Sequence, residues 1–278
     1  IDVVFFSFLL IFIPIVLITG PALPDIFLSL IALYFLIKSF YQKLWHYYQN
    51  PIVIGFLLFS GYGILRSILS EMPIKSLTNE GSVFYFRYIF FAMGTWYLLD
   101  KNPHLKKCIL TTSLICLFVV SFDGIYQYIM DLNLFGNKKH AINRLTGLMG
   151  KEPIIGRYTA YLSIFTFALV YPFIKTKNMI MLSVVFLVIT EIVVFLSGER
   201  SPLFSITQFT FLIILFIPNY RLYRIGGLFI SIIIILGILE VNPVAKKRMI
   251  DQTIQQMSET QYPFLPYSSS HELHYISG

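Results

Sequence analysis

The chain has 278 residues, of which 56% are hydrophobic and 13% charged, with a mean hydropathy of +0.74. Soluble domains carry about 25% charged residues, so a soluble domain is excluded and the length is better counted in bilayer crossings of roughly 20 apolar residues. The net charge of +7 does not imply nucleic acid as a partner, because the Lys and Arg residues sit in short loops between apolar spans, not on one continuous face.

Nine apolar segments follow one another, at about 3–20, 24–41, 51–70, 83–99, 107–130, 154–174, 178–197, 202–218 and 225–240. They predict an all-α, polytopic transmembrane bundle of about nine spans with loop segments on the outer face. Several are bounded at the start by proline (Pro24, Pro51, Pro153, Pro202), where a missing N–H costs a helix little. The opening "IDVVFFSFLLIFIPIVLITG" is too long and too weakly flanked for a cleaved signal peptide. The chain ends at "HELHYISG", inside a polar segment, so the expectation is a fragment lacking its C-terminal part. Cys108 and Cys116 fall within one span and suggest neither a disulfide framework nor a metal site.

Alternate loops differ in sign. Those after spans two, four, six and eight carry Lys38 and Lys43; Lys101, Lys106 and Lys107; Lys175 and Lys177; Arg221 and Arg224, with Asp100 as their acid. By the positive-inside rule they face the cytoplasm, which puts the "GERSP" turn outside. The outer segment 131–162 breaks the pattern, with Lys138, Lys139, Arg144, Lys151 and Arg157 against Asp131 and Glu152. Positive charge on the translocated side is more easily understood if an anion is held there.

Glu199 and Arg200 stand in the short link between spans seven and eight. Arg200 is thereby placed at a helix start at the bilayer surface, where backbone N–H groups and the helix dipole favour an anion. A guanidinium matches phosphate oxygens two at a time. The alternative is a snorkelling arginine paired with Glu199. Arg157 opens span six and reads equally as an anion contact or an interfacial arginine, whereas Arg144, Lys138 and Lys139 read as solvated or headgroup-facing. Arg87, inside span four, should face other helices or a polar cavity. Asp123, inside span five, is a candidate partner for an outer arginine, and Glu191 for a buried cation. His271 and His274 share a face if "SSSHELHY" is helical. With Glu272 they lack a third metal ligand at suitable spacing, and a general base is the alternative. The preceding "NPVAKKRMIDQTIQQMSE" is weakly amphipathic and reads as lying along the outer interface.

Four stretches, "RLTGLMGKEPIIGRYTAYLSIFTFALV", "VVFLSGERSPLFSITQFTFLI", "SEMPIKSLTNEGSVFYFRYIFFAMGTWYLL" and "SSSHELHY", resemble the bacterial O-antigen ligase and polymerase family. The resemblance implies a GT-C-like architecture in the bacterial inner membrane. Residues 1–240 would form the transmembrane domain and 241–278 the start of a periplasmic loop. It implies glycan transfer from an undecaprenyl-diphosphate carrier to an acceptor hydroxyl, on the lipid A core or a second lipid-linked glycan, without metal or other cofactor. Arginines hold the diphosphate in that family: Arg200 carries over, with Arg157 and Arg144 in the right region and Glu199, Arg87 and Asp123 as supporting groups. The base is expected in a His-Asn pair, which this chain lacks. His271 and His274 stand where the approach to it would be, so the chain alone is expected to be inactive. A flippase or carrier for a lipid-linked oligosaccharide is the competing reading, and a non-catalytic scaffold a third.

Overall fold

The structure is a computed structural model and describes residues 2–70, 72–78, 82–140 and 144–258. Among them the architecture is all-helical, with isolated β-bridges but no strand. Each of the nine apolar segments contains a helix: α1 (Asp2–Val16), α2 (Ala22–Gln42), α3 (Pro51–Ile68), α4 (Phe86–Lys101), α5 (Leu105–Met130), α6 (Ile155–Val170), α7 (Lys177–Leu196), α8 (Arg200–Phe216) and α9 (Arg221–Val241).

Local chemistry sets several ends. The Asn50 side chain accepts the Ile52 N–H in front of Pro51, the first residue of α3. Thr176 does the same for Met179 at the start of α7. Lys43 takes a left-handed conformation after α2 and its N–H returns to Ser39 O. Span four begins later than its hydropathy indicates, because Ser82–Tyr85 form a tighter 3-10 turn before α4.

Among the described residues five helices, α2, α3, α5, α7 and α9, are long and apolar enough to cross a bilayer. The other four have 15, 16, 16 and 17 residues, or about 22–26 Å at 1.5 Å per residue, against a hydrocarbon core of ~30 Å. Of the about nine spans expected, five are helices of spanning length and the other four are shorter helices. Large apolar side chains such as Phe118, Leu182, Phe204 and Ile233 stand exposed on these helices. Such surface is costly in water and ordinary in lipid.

The chain divides into two compact units, residues 1–113 and 114–278. In the first, α2 packs against α4, with Gly94 as the point of closest approach. A methyl group at Gly94 would lie 3.0 Å from both Ile31 Cγ2 and Ile31 O, and 3.1 Å from Phe35 Cβ. An aromatic cluster of Tyr34, Phe35, Tyr47 and Tyr97 surrounds this contact, and Tyr47 donates to Asp100 at 2.6 Å.

In the second unit α6 packs on α7 and α8, and α9 packs on α7. Ala160, Val194 and Ile206 form one buried cluster, and Phe167, Leu187 and Ile213 another. Buried polar groups are bonded across helices: Thr210 donates to Glu191 at 2.6 Å, and Arg224 donates to Ile217 O at 2.8 Å, at the C-terminal end of α8. Glu191 and Arg224 line one small cavity.

Gly94→Val is expected to overpack the α2–α4 contact and destabilise the first unit by about 1–3 kcal/mol, readable as a lower Tm in detergent. Gly61→Val, where a Cβ meets nothing within 4 Å, serves as the control and should leave Tm within a degree or two of wild type.

Candidate functional site

Three residues, Ser197 to Glu199, link α7 to α8. Ser197 Oγ donates to Val194 O at 2.6 Å and accepts the Glu199 N–H at 3.2 Å, which closes the turn. Gly198 has φ +72°, a left-handed conformation that glycine adopts without strain. The turn directs the Glu199 side chain at the N-terminus of α6. There Oε1 accepts the N–H of Gly156 at 2.9 Å and of Arg157 at 3.3 Å.

Helix α6 has no side-chain cap from its own N-cap residue, Ile154, so a carboxylate from a separate element satisfies its first amides. The negative charge also sits at the positive end of the helix dipole. Gly156 is what allows the approach. A Cβ there would lie 2.1 Å from Ser197 Oγ and 2.9 Å from Glu199 Oε1.

Glu199 is 5% exposed. Its second oxygen lies 3.6 Å from the Arg144 guanidinium, which also donates to Pro153 O at 2.8 Å. Burial raises the Glu199 pKa above the ordinary glutamate value, opposed by the Arg157 and Gly156 amides and by the charges of Arg144 and Arg157. Glu199 thus pairs with Arg144 and the α6 amides.

Arg144 is held in place by the loop that follows α5. Gln127 Oε1 accepts the N–H groups of Thr146 and Gly147, each at 2.9 Å. Asn133 donates to Gly147 O at 2.6 Å and accepts the amides of Phe135 and Asn137. Asp123, fully buried, accepts the Leu134 N–H at 2.8 Å. Asp123 therefore fastens this loop to α5 instead of pairing with an outer arginine.

Arg200 leads off α8 and donates to Arg248 O at 3.1 Å and to Gln252 Oε1 at 3.4 Å. Arg248 lies in a π-helical turn, Lys247–Asp251, after α9, and its Nε donates to Gly198 O at 2.9 Å. The segment expected along the outer interface is thus pinned to the α7–α8 link. Burial disfavours the charged form of Arg248, as do the neighbouring charges of Arg144 and Arg200, with Glu199 acting in the opposite sense. Even so, an arginine stays protonated. Arg144, Arg200 and Arg248 converge on the link, and Arg157 presents an exposed side chain from the first turn of α6. Among the described residues, Glu199 is the carboxylate that meets this group, through Arg144.

Beside the cluster is a recess, open to solvent, with Tyr128, Lys139, Gly198, Asn242 and Arg248 on its walls. Among the described residues no three His, Cys, Asp or Glu side chains group to hold a metal.

The other predicted residues lie elsewhere. Arg87 stands in the first turn of α4 in the first unit, not at depth, and pairs there with Asp25 at 2.8 Å. A helix-to-helix ion pair accounts for it. His271 and His274 lie outside the described residues. Sequence reasoning missed Arg248. The signal available was the basic run Lys246–Lys247–Arg248 directly after an apolar span. Compared with protein-family models, curated proteins and solved structures, the chain finds no match.

A raised pKa means that folding favours the protonated Glu199, so its linkage contribution is full below the ordinary glutamate value of about 4.3 and is lost as pH rises through the higher folded value. Glu199→Gln should flatten that segment of the stability–pH curve, measured by thermal unfolding from pH 4 upward. Gly156→Ala should lower Tm at every pH, and adding Ser197→Ala should recover part of the loss, because the hydroxyl is the nearest clash.

Proposed function

We propose that the protein is a membrane glycosyltransferase of the O-antigen ligase or polymerase type. In this reading it moves a glycan from an undecaprenyl-diphosphate carrier to an acceptor hydroxyl at the periplasmic face of the bacterial inner membrane. The observation that carries it is the gathering of Arg144, Arg200 and Arg248, with Arg157 close by, at the link between α7 and α8, at the ends of apolar helices. Several guanidiniums gathered at a membrane boundary fit a ligand with concentrated negative charge on a lipid stem.

The chemistry follows from the leaving group. The acceptor oxygen bonds to the anomeric carbon while the glycosidic C–O bond to the diphosphate breaks, and the electron pair leaves with the diphosphate. Charge therefore grows on the phosphate oxygens in the transition state. Fixed guanidiniums stabilise it more there than in the ground state, which is what lowers a barrier. Glu199 acts as a positioning residue: it sets the Arg144 guanidinium and the α6 terminus at a fixed separation. The acceptor proton needs a base, for which His271 and His274 remain the candidates. The acceptor is a lipid A core or a second lipid-linked glycan.

In the full-length protein, Arg200→Ala and Arg144→Ala should each lower glycan transfer by about 10²–10³-fold, the effect of removing one preorganised donor. Arg200→Lys should recover little, since an ammonium cannot replace a planar fork. Transfer measured with purified lipid-linked donor checks this, and wild-type rates in both alanine variants would refute the assignment. Glu191 and Arg224, lining a cavity inside the helices, are the features a carrier would use. Movement of lipid-linked glycan across liposomes without bond formation would decide for transport.

A further inference from the structure

The open recess next to the arginine cluster has a composition of its own. Its charged walls are Lys139 and Arg248 against Asp131, so two cations and one carboxylate leave a single positive charge. Both cations are held by groups that leave part of their donor capacity free. Arg248 spends its Nε on Gly198 O, and its two terminal nitrogens have no hydrogen-bond partner among the described residues. Lys139 is anchored by Asp131 and by Tyr128 O at 2.9 Å, with one N–H left over. Asn242 donates to the Tyr128 hydroxyl at 3.1 Å, which turns that phenol to the same wall.

The rest of the lining is apolar: Phe195 and Leu196 from the end of α7, and Val244, Ala245 and Met249 beyond α9. These are the ends of two helices of membrane-spanning length. A pocket half apolar and half cationic, at the level where such helices leave hydrocarbon, matches an anionic group on an apolar stem.

We propose that this recess binds the phosphate headgroup of an anionic bilayer phospholipid, with Arg248 and Lys139 on the phosphate oxygens and the apolar wall against the glycerol and first acyl carbons. The single surplus charge selects a phosphodiester monoanion over a diphosphate. Lipid abundance at this depth favours a headgroup over a soluble phosphate, which shares the same chemistry. The site shares Arg248 with the transfer reading, but Arg144, Arg157 and Arg200 do not line it and Lys139 lies outside that cluster, so Lys139→Gln tests the recess alone. Either can fail while the other stands.

The test uses the full-length protein in neutral phosphatidylcholine nanodiscs. Phosphatidylglycerol is titrated in, and bound lipid is counted by native mass spectrometry alongside Tm. One phosphatidylglycerol should bind preferentially and raise Tm. Lys139→Gln and Arg248→Gln should each weaken binding about tenfold, the loss of one charge-assisted contact. Lys247→Gln, an exposed cation outside the recess, should not. Because Arg248→Gln also loses its bond to Gly198, Lys139→Gln is the deciding variant. Wild-type affinity in it overturns the proposal, as does equal weakening by Lys247→Gln, which would indicate general surface charge. Inorganic phosphate giving the same Tm rise in phosphatidylcholine alone would assign the recess to a soluble anion and overturn the lipid source.

Discussion

The second unit is organised around one buried carboxylate. Moving a carboxylate out of water costs several kcal/mol unless its charge is met by close partners. Glu199 meets that requirement with two amides at the start of α6 and a guanidinium from the loop after α5. Each partner is in turn constrained. The amides are reachable only because residue 156 has no side chain and Ser197 sits directly against it. Arg144 is reachable only because Gln127, Asn133 and Asp123 hold its loop down. The local geometry is therefore set by electrostatic need as much as by packing.

That arrangement has a consequence for ligand binding. A cluster in which every cation had its own carboxylate would be a structural network with nothing left for a guest. Here the hydrogen-bonding capacity of Glu199 is largely taken up by a helix terminus. For Arg248, two of the three largest influences disfavouring its charge are other arginines. Three chain segments far apart in sequence, the loop at 144, the link at 200 and the turn at 248, supply these groups. Mutual repulsion among them is tolerated in the fold.

The sequence showed the helices and hid most of the contacts. Apolar runs of the right length are legible because a helix in lipid satisfies its own backbone and needs only an apolar surface. The shortness of α1, α4, α6 and α8 was less visible, since hydropathy does not register a 3-10 turn such as Ser82–Tyr85. Glu199 and Arg200 were read together because they are adjacent. Consecutive residues at a helix start project about 100° apart, and these two reach different segments. Asp123 was read as a partner for charge, whereas its oxygen bonds an amide eleven residues on, a loop contact that no periodicity encodes. Arg248 came from a basic run with no motif, so only the fold could join it to Gly198.

The lengths of α6 and α8 bear on how strongly such a site could act. Were α6 and α8 to cross a bilayer, their 16 and 17 residues would fall about 4–6 Å short of a ~30 Å hydrocarbon core. Their N-termini are the two that meet at Glu199. Short helices starting there bring the cluster below the level of the headgroups or thin the bilayer around it. The first outcome would lower the local dielectric around the guanidiniums, and an ion contact strengthens as that dielectric falls. A full-length α6 or α8 would lift the same arginines into bulk water, where each contact with a phosphate would be weak. Helix shortness thus belongs to the chemistry of the site as much as to the fold.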